Sequence, residues 1–311
     1  MGSTLKIVAK KAGVSIVTAS RVFNGKETVK PAFRKKVFDA AKELNYTPNL
    51  LARGLARNNL KIVSVYMGEL ENPYFGSLAS NLTKEFSSHG YESIICDSVG
   101  KTVELNRSLS TSGSVLVSIG NREVLKKIAE SHAVVGICCS FNDNINMPNI
   151  DLDFSSAYNE IFGKAFEAGK KKIAVLSNLL QSYPHLAETK FNHVYSSMEK
   201  KGLSLVGKKP FADSDSIVSM LGANPKALNC VFCENDIEAV VLYGKLIKAG
   251  FRIPEDIIVV GCDGTIVLEG MWSIMIDTRE IASKAFHVFR DFVACGVCNG
   301  RNVIKPEPIY N

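Results

Sequence analysis

Arg21 carries the most definite chemistry in the N-terminal stretch of this chain. A guanidinium is a rigid fork of donors that can satisfy two acceptors at once, including the major-groove edge of guanine. At 100° per residue, Ile16, Val17, Ser20, Arg21 and Asn24 share one face of a helix, opposite Val14, Ala19, Val22 and Phe23. Exposed β-branched residues beside a guanidinium do nothing for solubility, whereas thymine methyls in a major groove would explain them. The charge agrees with this reading. Residues 1–61 hold thirteen Lys/Arg and three Asp/Glu, an excess of ten, whereas the whole chain carries only +6. A basic module beside a mildly acidic remainder points to a polyanion bound by the module alone. The bland alternative is a three-helix bundle with a solvated basic face.

Other reactive groups lead nowhere comparable. Cys230-x-x-Cys233 and Cys295-x-x-Cys298 have the spacing of a zinc site. Cys230 and Cys233 lie in an apolar strand, however, where residues three apart face opposite ways, so they read as buried thiols and no metal is expected. The five histidines show no ligand spacing. No phosphate loop, dinucleotide fingerprint or nucleophile elbow occurs, so neither a cofactor nor an enzyme is expected. Eight cysteines without a basic-then-apolar leader suggest a reducing cytoplasm. No apolar run approaches the roughly 18 residues of a membrane helix.

The elements that must position Arg21 are helical. Leu5, Val8, Ala9 and Ala12 follow helical spacing, Gly13 stops that helix, and Ser15 can cap a second running to Phe23. Asn24-Gly25 makes a turn, and a third helix is predicted from Ala32 to Leu44 with Phe33, Val37, Ala40, Ala41 and Leu44 inward. Thr47-Pro48-Asn49 breaks the pattern before a short helix-prone stretch, Leu50 to Arg57. From Lys61 the pattern changes. Val/Ile-rich runs (Ile62–Met67, Ser93–Cys96, Val115–Ile119, Val134–Cys139, Ile173–Leu176, Cys230–Cys233, Ile257–Val260) alternate with helical stretches such as Tyr74–His89 and Asp236–Ala249. That alternation predicts βαβ units and parallel sheet, and about 250 residues is room for two such lobes. The expected organisation is a helix-turn-helix domain over 1–47, a hinge helix and linker over 48–60, and a two-lobed α/β region over 61–311.

Particular letters in this frame resemble a known family. Thr4-Leu5-Lys6, Val8 through Ser15, Thr18, Ser20-Arg21-Val22 and Asn24, then Leu44 through Asn49, Ala52-Arg53 and Leu55, are similar to the DNA-binding headpiece of LacI/GalR regulators. Asn72-Pro73-Tyr74-Phe75, Ala168 through Ala174, Asn235-Asp236, Ile253-Pro254-Glu255-Asp256 and Val259 through Asp263 extend the likeness along the chain. The resemblance implies a cytoplasmic, nucleoid-associated repressor: a homodimer that binds near-palindromic operator DNA. Its core would be periplasmic-binding-protein-like and would take a small-molecule effector, a sugar or sugar derivative. It implies base contacts from Ile16, Val17 and Arg21, with Thr4, Ser15, Ser20, Asn24, Asn49, Ala52 and Arg53 also on the DNA. Leu55 would wedge a base step from a hinge helix that folds on the duplex. For the effector it implies Tyr74 or Phe75 stacking, with Lys190, Asn235 and Asp263 as polar contacts. The sequence departs from the family at Ile7, where a capping-box Asp is usual, at Lys190 for an arginine, and at Gly264, where a second acid is usual. The rival reading is a sugar-binding protein with no regulatory DNA role, which a DNA shift assay on a chain lacking residues 1–60 would separate.

Overall fold

The computed structural model describes residues 4–23, 28–47, 61–130, 132–139, 145–177, 184–207, 209–296 and 302–311. The chain divides into two compact units, Met1–Leu60 and Lys61–Asn311. The turn at Asn24-Gly25, the stretch Leu50 to Arg57 and Cys298 lie outside the described residues.

In the first unit three helices form by local rules. Thr4 caps α1 (Leu5–Ala12), its Oγ1 accepting from the Ile7 amide at 3.4 Å. Gly13 ends α1 in the left-handed region at φ 64°, which lets the Val14 amide reach back to the Ala9 carbonyl. Ser15 Oγ then accepts from the Thr18 amide at 3.0 Å and starts α2 (Ile16–Phe23). The third helix, α3 (Pro31–Glu43), begins one residue earlier than expected because proline suits the first helical position. Val8, Ala9, Ala12, Ala19, Val22, Val29, Val37, Ala40 and Ala41 make the small core, and Phe23 sets its ring against Phe38 and Tyr46. Phe33, expected inward, is 40% exposed in the first turn of α3.

The second unit is two twisted sheets. β1 (Ile62–Tyr66), α4 (Pro73–Ser88), β2 (Glu92–Cys96), α5 (Val99–Leu109), β3 (Gly113–Val117), α6 (Arg122–Ala129), β4 (Val134–Ile137) and β5 (Asn149–Leu152) build one. The other comprises α7 (Ser155–Glu167), β6 (Lys172–Leu176), α8 (Pro184–Lys200), β7 (Ser204–Leu205), α9 (Ser214–Ala223), β8 (Cys230–Cys233), α10 (Asp236–Lys248), β9 (Ile258–Val260) and β10 (Trp272–Met275). The chain then runs through α11 (Thr278–Cys295) to β11 (Asn302–Ile304) in the first sheet and returns as β12 (Glu307–Tyr310) in the second. The strand orders are β11-β5-β4-β3-β1-β2 and β12-β10-β9-β8-β6-β7. All described pairs are parallel except β10–β12. Setting aside the returning strands, the two sheets share one order, so each has its switch point between its first and third strands.

Burial explains the cysteines. Cys230 packs with Phe232, Val175 and Phe162 on one face of β8, whereas Cys233 packs with Leu176, Ala239 and Leu242 on the other. Burial pushes the Cys230 thiol up to about 12 and raises the Cys233 thiol well above its ordinary value. Among the described residues no helix is long and apolar enough to cross a membrane.

The first sheet also holds a buried polar knot. Ser64 and Thr111 donate to Asn106 Oδ1 at 2.8 and 2.7 Å, and Asn106 Nδ2 donates to Ser114 Oγ at 2.8 Å. His132 Nε2 lies 2.6 Å from Asn106 Nδ2 and 2.8 Å from Ser114 Oγ, so the ring serves as a neutral acceptor. Lys126, Glu130 and Asn146 share with it a cavity of about 650 Å³. Burial lowers the His132 pKa below its ordinary 6.5. The unfolded chain therefore takes up the proton first, and stability falls as pH drops below about 6.5. Urea midpoints between pH 8 and pH 5 should show this decline, and His132→Gln should flatten it; an equal slope in both chains would contradict the assignment.

Candidate functional site

On α2 the Ser15 cap leaves the first helical turn facing outward. Ile16 is 47% and Val17 60% exposed, and Arg21 stands exposed one turn after Val17. Ser20 is half-buried beside them, and Thr4 is exposed at the start of α1. Lys35 and Lys36 lie exposed on α3. α2 carries no acid, and Glu43 on α3 is held by Lys11 at 2.5 Å. The surface so formed is a capped helix presenting two apolar groups and one guanidinium. Asn24, Asn49, Ala52, Arg53 and Leu55 lie outside the described residues.

In the second unit the residues expected at an effector site stand after the carboxyl ends of strands or at helix starts. Asn72 Oδ1 caps α4 by accepting from the Tyr74 amide at 2.9 Å. This places Tyr74 just beyond β1, edge-on to Phe75 with ring centroids 5.0 Å apart. Burial raises the Tyr74 pKa well above the usual phenol value, helped by Cys138, Asp263 and Cys262. Tyr74 follows a strand of the first sheet and Asp263 a strand of the second, and Asp263 contributes to that shift. Phe75 packs half-buried against the same apolar cluster.

Asp263 stands at φ 107°, a conformation that costs a side-chain-bearing residue about 1–3 kcal/mol and is typically found where function requires it. Its amide donates to the Ile274 carbonyl at 2.8 Å, and its carbonyl accepts from Ile276 at 3.2 Å. Gly264 follows at φ 67°, where a Cβ would meet Met275 Cα at 2.5 Å. The missing second acid thus has a steric reason: no side chain fits on this backbone.

Asn235 caps a helix at the end of the second sheet's β8. Its Oδ1 caps α10 by accepting from the Glu238 amide at 2.9 Å, leaving the amide nitrogen, 3.5 Å from Glu234 Oε1, for other partners. Lys190 falls on α8, but its side chain is outside the described residues.

Sequence reasoning missed Asp236. Although it opens α10, its carboxylate is fully buried. It accepts from the amides of Thr265 and Ile266 at 2.6 and 3.2 Å, from Thr265 Oγ1 at 3.3 Å and from Ser273 Oγ at 2.5 Å. These bonds pin the turn that carries Asp263. Sequence reasoning also missed Glu234, which is 5% exposed at the end of β8 and accepts from Ser177. An acid directly after the apolar run Cys230–Cys233 was the available signal. Asp236→Ala should lower the unfolding free energy by about 3 kcal/mol or more, because buried donors lose a charged partner. Urea denaturation measures it, and a loss below about 1 kcal/mol would contradict the clasp.

Comparison with known proteins places these features. Residues 4–49 match the family model described as bacterial regulatory proteins, lacI family. Catabolite control protein A of Staphylococcus aureus strain Mu50 is 28% identical over 327 residues, covering 99% of this chain and 98% of that protein. The lac repressor dimer, solved bound to operator and the anti-inducer ONPF, superposes with a TM-score of 0.82 at 18% identity, covering 99% and 98% of the two chains. The regulator CelR in complex with cellobiose gives a TM-score of 0.62 at 21% identity, with coverage of 99% and 98%. Residues 4–49 thus match a lacI-family headpiece, and along its whole length the chain is similar to catabolite control protein A and shares the fold of the lac repressor.

Proposed function

We propose that this chain is a sequence-specific operator-binding repressor, working as a homodimer and controlled by a sugar or sugar derivative held between its two lobes. The observation that carries the proposal is the α2 face, where Ile16, Val17 and Arg21 stand exposed on a capped helix within the basic module. In a major groove, Ile16 and Val17 would meet thymine methyls, and Arg21 would grip guanine O6 and N7. Thr4, Ser15, Ser20 and Asn24 would contact the backbone or base edges, and Lys35 and Lys36 the phosphates. Residues 1–47 act as the reading domain and 48–60 as the hinge. In the hinge, Asn49, Ala52 and Arg53 would lie along the minor groove while Leu55 wedges a step near the operator's centre.

The effector half is 61–311. Tyr74 and Phe75 offer ring faces, Asp263 a carboxylate acceptor, and Asn235 and Lys190 flanking polar groups. Similar proteins support the ligand class: one relative was solved with cellobiose, and an Enterococcus faecium LacI-family regulator with bound ribose. The protein acts by equilibrium binding in the cytoplasm and catalyses no reaction. Effector affinity that differs between lobe arrangements would shift the DNA-competent population by that difference.

The test begins with selection of an operator from random duplexes using the full chain. On the selected site Arg21→Ala should cost about 1–3 kcal/mol, with little loss on random DNA. Lys35→Ala should weaken both and lower the salt slope. Equal losses on both DNAs from Arg21→Ala would reduce that residue to a phosphate contact.

A further inference from the structure

Tyr158 has a hydroxyl that the fold does not use. It lies on α7 and is fully buried. Its ring stacks on Phe154 with centroids 5.4 Å apart and meets Phe232 edge-on at 5.6 Å. Phe162, one turn further along α7, completes an aromatic stripe against the second sheet. All of that packing would be served by phenylalanine. The tyrosine oxygen adds a polar atom that is buried and has no hydrogen-bond partner among the described residues. Such groups are rare because leaving a hydroxyl unpaired away from water is unfavourable.

The surroundings of that oxygen are those of the cleft. Besides burial, Cys262 and Asp263 raise its pKa, and the same two residues, with Cys138, act on Tyr74. Tyr74 follows β1 of the first sheet, whereas Tyr158 packs on the second. Tyr74, Tyr158 and Cys262 belong to one buried cluster, so two phenols from opposite lobes share the packing that leads to Asp263, the residue after Cys262. On the same face of the second sheet, alternation along β6 and β8 places Ser177 and Glu234 beyond Val175 and Phe232, and Ser177 donates to Glu234. Among the described residues, the polar groups gathered here are acids and hydroxyls. They suit a neutral, hydroxyl-bearing ligand, whose O–H can donate to Asp263 while its oxygen accepts from a phenol.

We infer that Tyr158 is a specificity-determining residue of the cleft, donating its hydroxyl hydrogen bond to an uncharged effector hydroxyl that in turn donates to Asp263. This inference rests on the cleft being a carbohydrate site. It makes Tyr158 a ligand contact hidden inside what otherwise reads as a core stripe, so its partner arrives only when the lobes hold the effector.

Calorimetric titration of the full chain with a panel of unphosphorylated pentoses, hexoses and disaccharides, including D-ribose, lactose and cellobiose, tests this. A sugar that binds the wild type should bind Tyr158→Phe at least tenfold more weakly. The sugar-free variant should melt at the same temperature as the wild type or higher, since only the unpaired oxygen is lost. Pairing Tyr158→Phe with Asp263→Asn should give a loss smaller than the product of the two single losses, because both act on one ligand hydroxyl. Equal sugar affinity in wild type and Tyr158→Phe overturns the role of Tyr158 and leaves the carbohydrate reading intact. Failure of the wild type to bind any sugar of the panel overturns the carbohydrate reading, and this inference with it.

Discussion

A carboxylate shut away from water must find donors, and Asp236 gathers four from three residues. The rest of the cleft depends on that clasp. It ties the first turn of α10 to the turn at 263–266 and to β10, so three segments distant in sequence share one charge. Gly261 and Gly264 allow the approach: a Cβ on Gly261 would lie 2.2 Å from Asp236 Oδ1, and one on Gly264 would strike Met275. With the turn so held, Asp263 keeps a backbone conformation that it would otherwise leave. The carboxylate offered to a ligand is therefore pre-set in position, and binding need not order it.

The same topology sets Tyr74 and Asp263 beyond the carboxyl ends of strands in the two sheets. Both sheets have their switch point between first and third strands, where ligands of such sheets bind outside the carboxyl ends. The chain passes between the sheets through the segments 153–171, 276–301 and 305–306. Three crossings leave the lobes linked yet separately layered, an arrangement compatible with hinge closure on a ligand.

How much of this was legible in the sequence follows from how local each cause is. Thr4, Gly13 and Ser15 act within four residues of their own positions, so the headpiece helices and their exposed face could be read directly. The β-branched runs of β1, β3, β4, β6, β8 and β9 could be read too, because each is buried on both faces. The short strands β5, β10, β11 and β12 could not, since their existence depends on a ladder partner supplied by distant chain. β12 is antiparallel for the same reason: it returns from the other lobe. Asp263 and Tyr74 are proposed as ligand contacts through family resemblance. Asp236 looked like an acid favouring a helix N-terminus, because nothing nearby reveals that residues 265, 266 and 273 fold over it. Tyr158 sat in the Phe154–Tyr158–Phe162 stripe, whose spacing signals only burial.

The central claim is that one chain couples operator binding to a ligand held at Asp263. Fluorescence anisotropy of a selected operator, titrated with the full chain in the presence and absence of a sugar that binds it, tests this directly. The account predicts that the sugar shifts operator affinity in the wild type. It also predicts that Asp263→Ala binds operator as tightly as the wild type but no longer responds to the sugar. An Asp263→Ala chain that responds as fully as the wild type would contradict it.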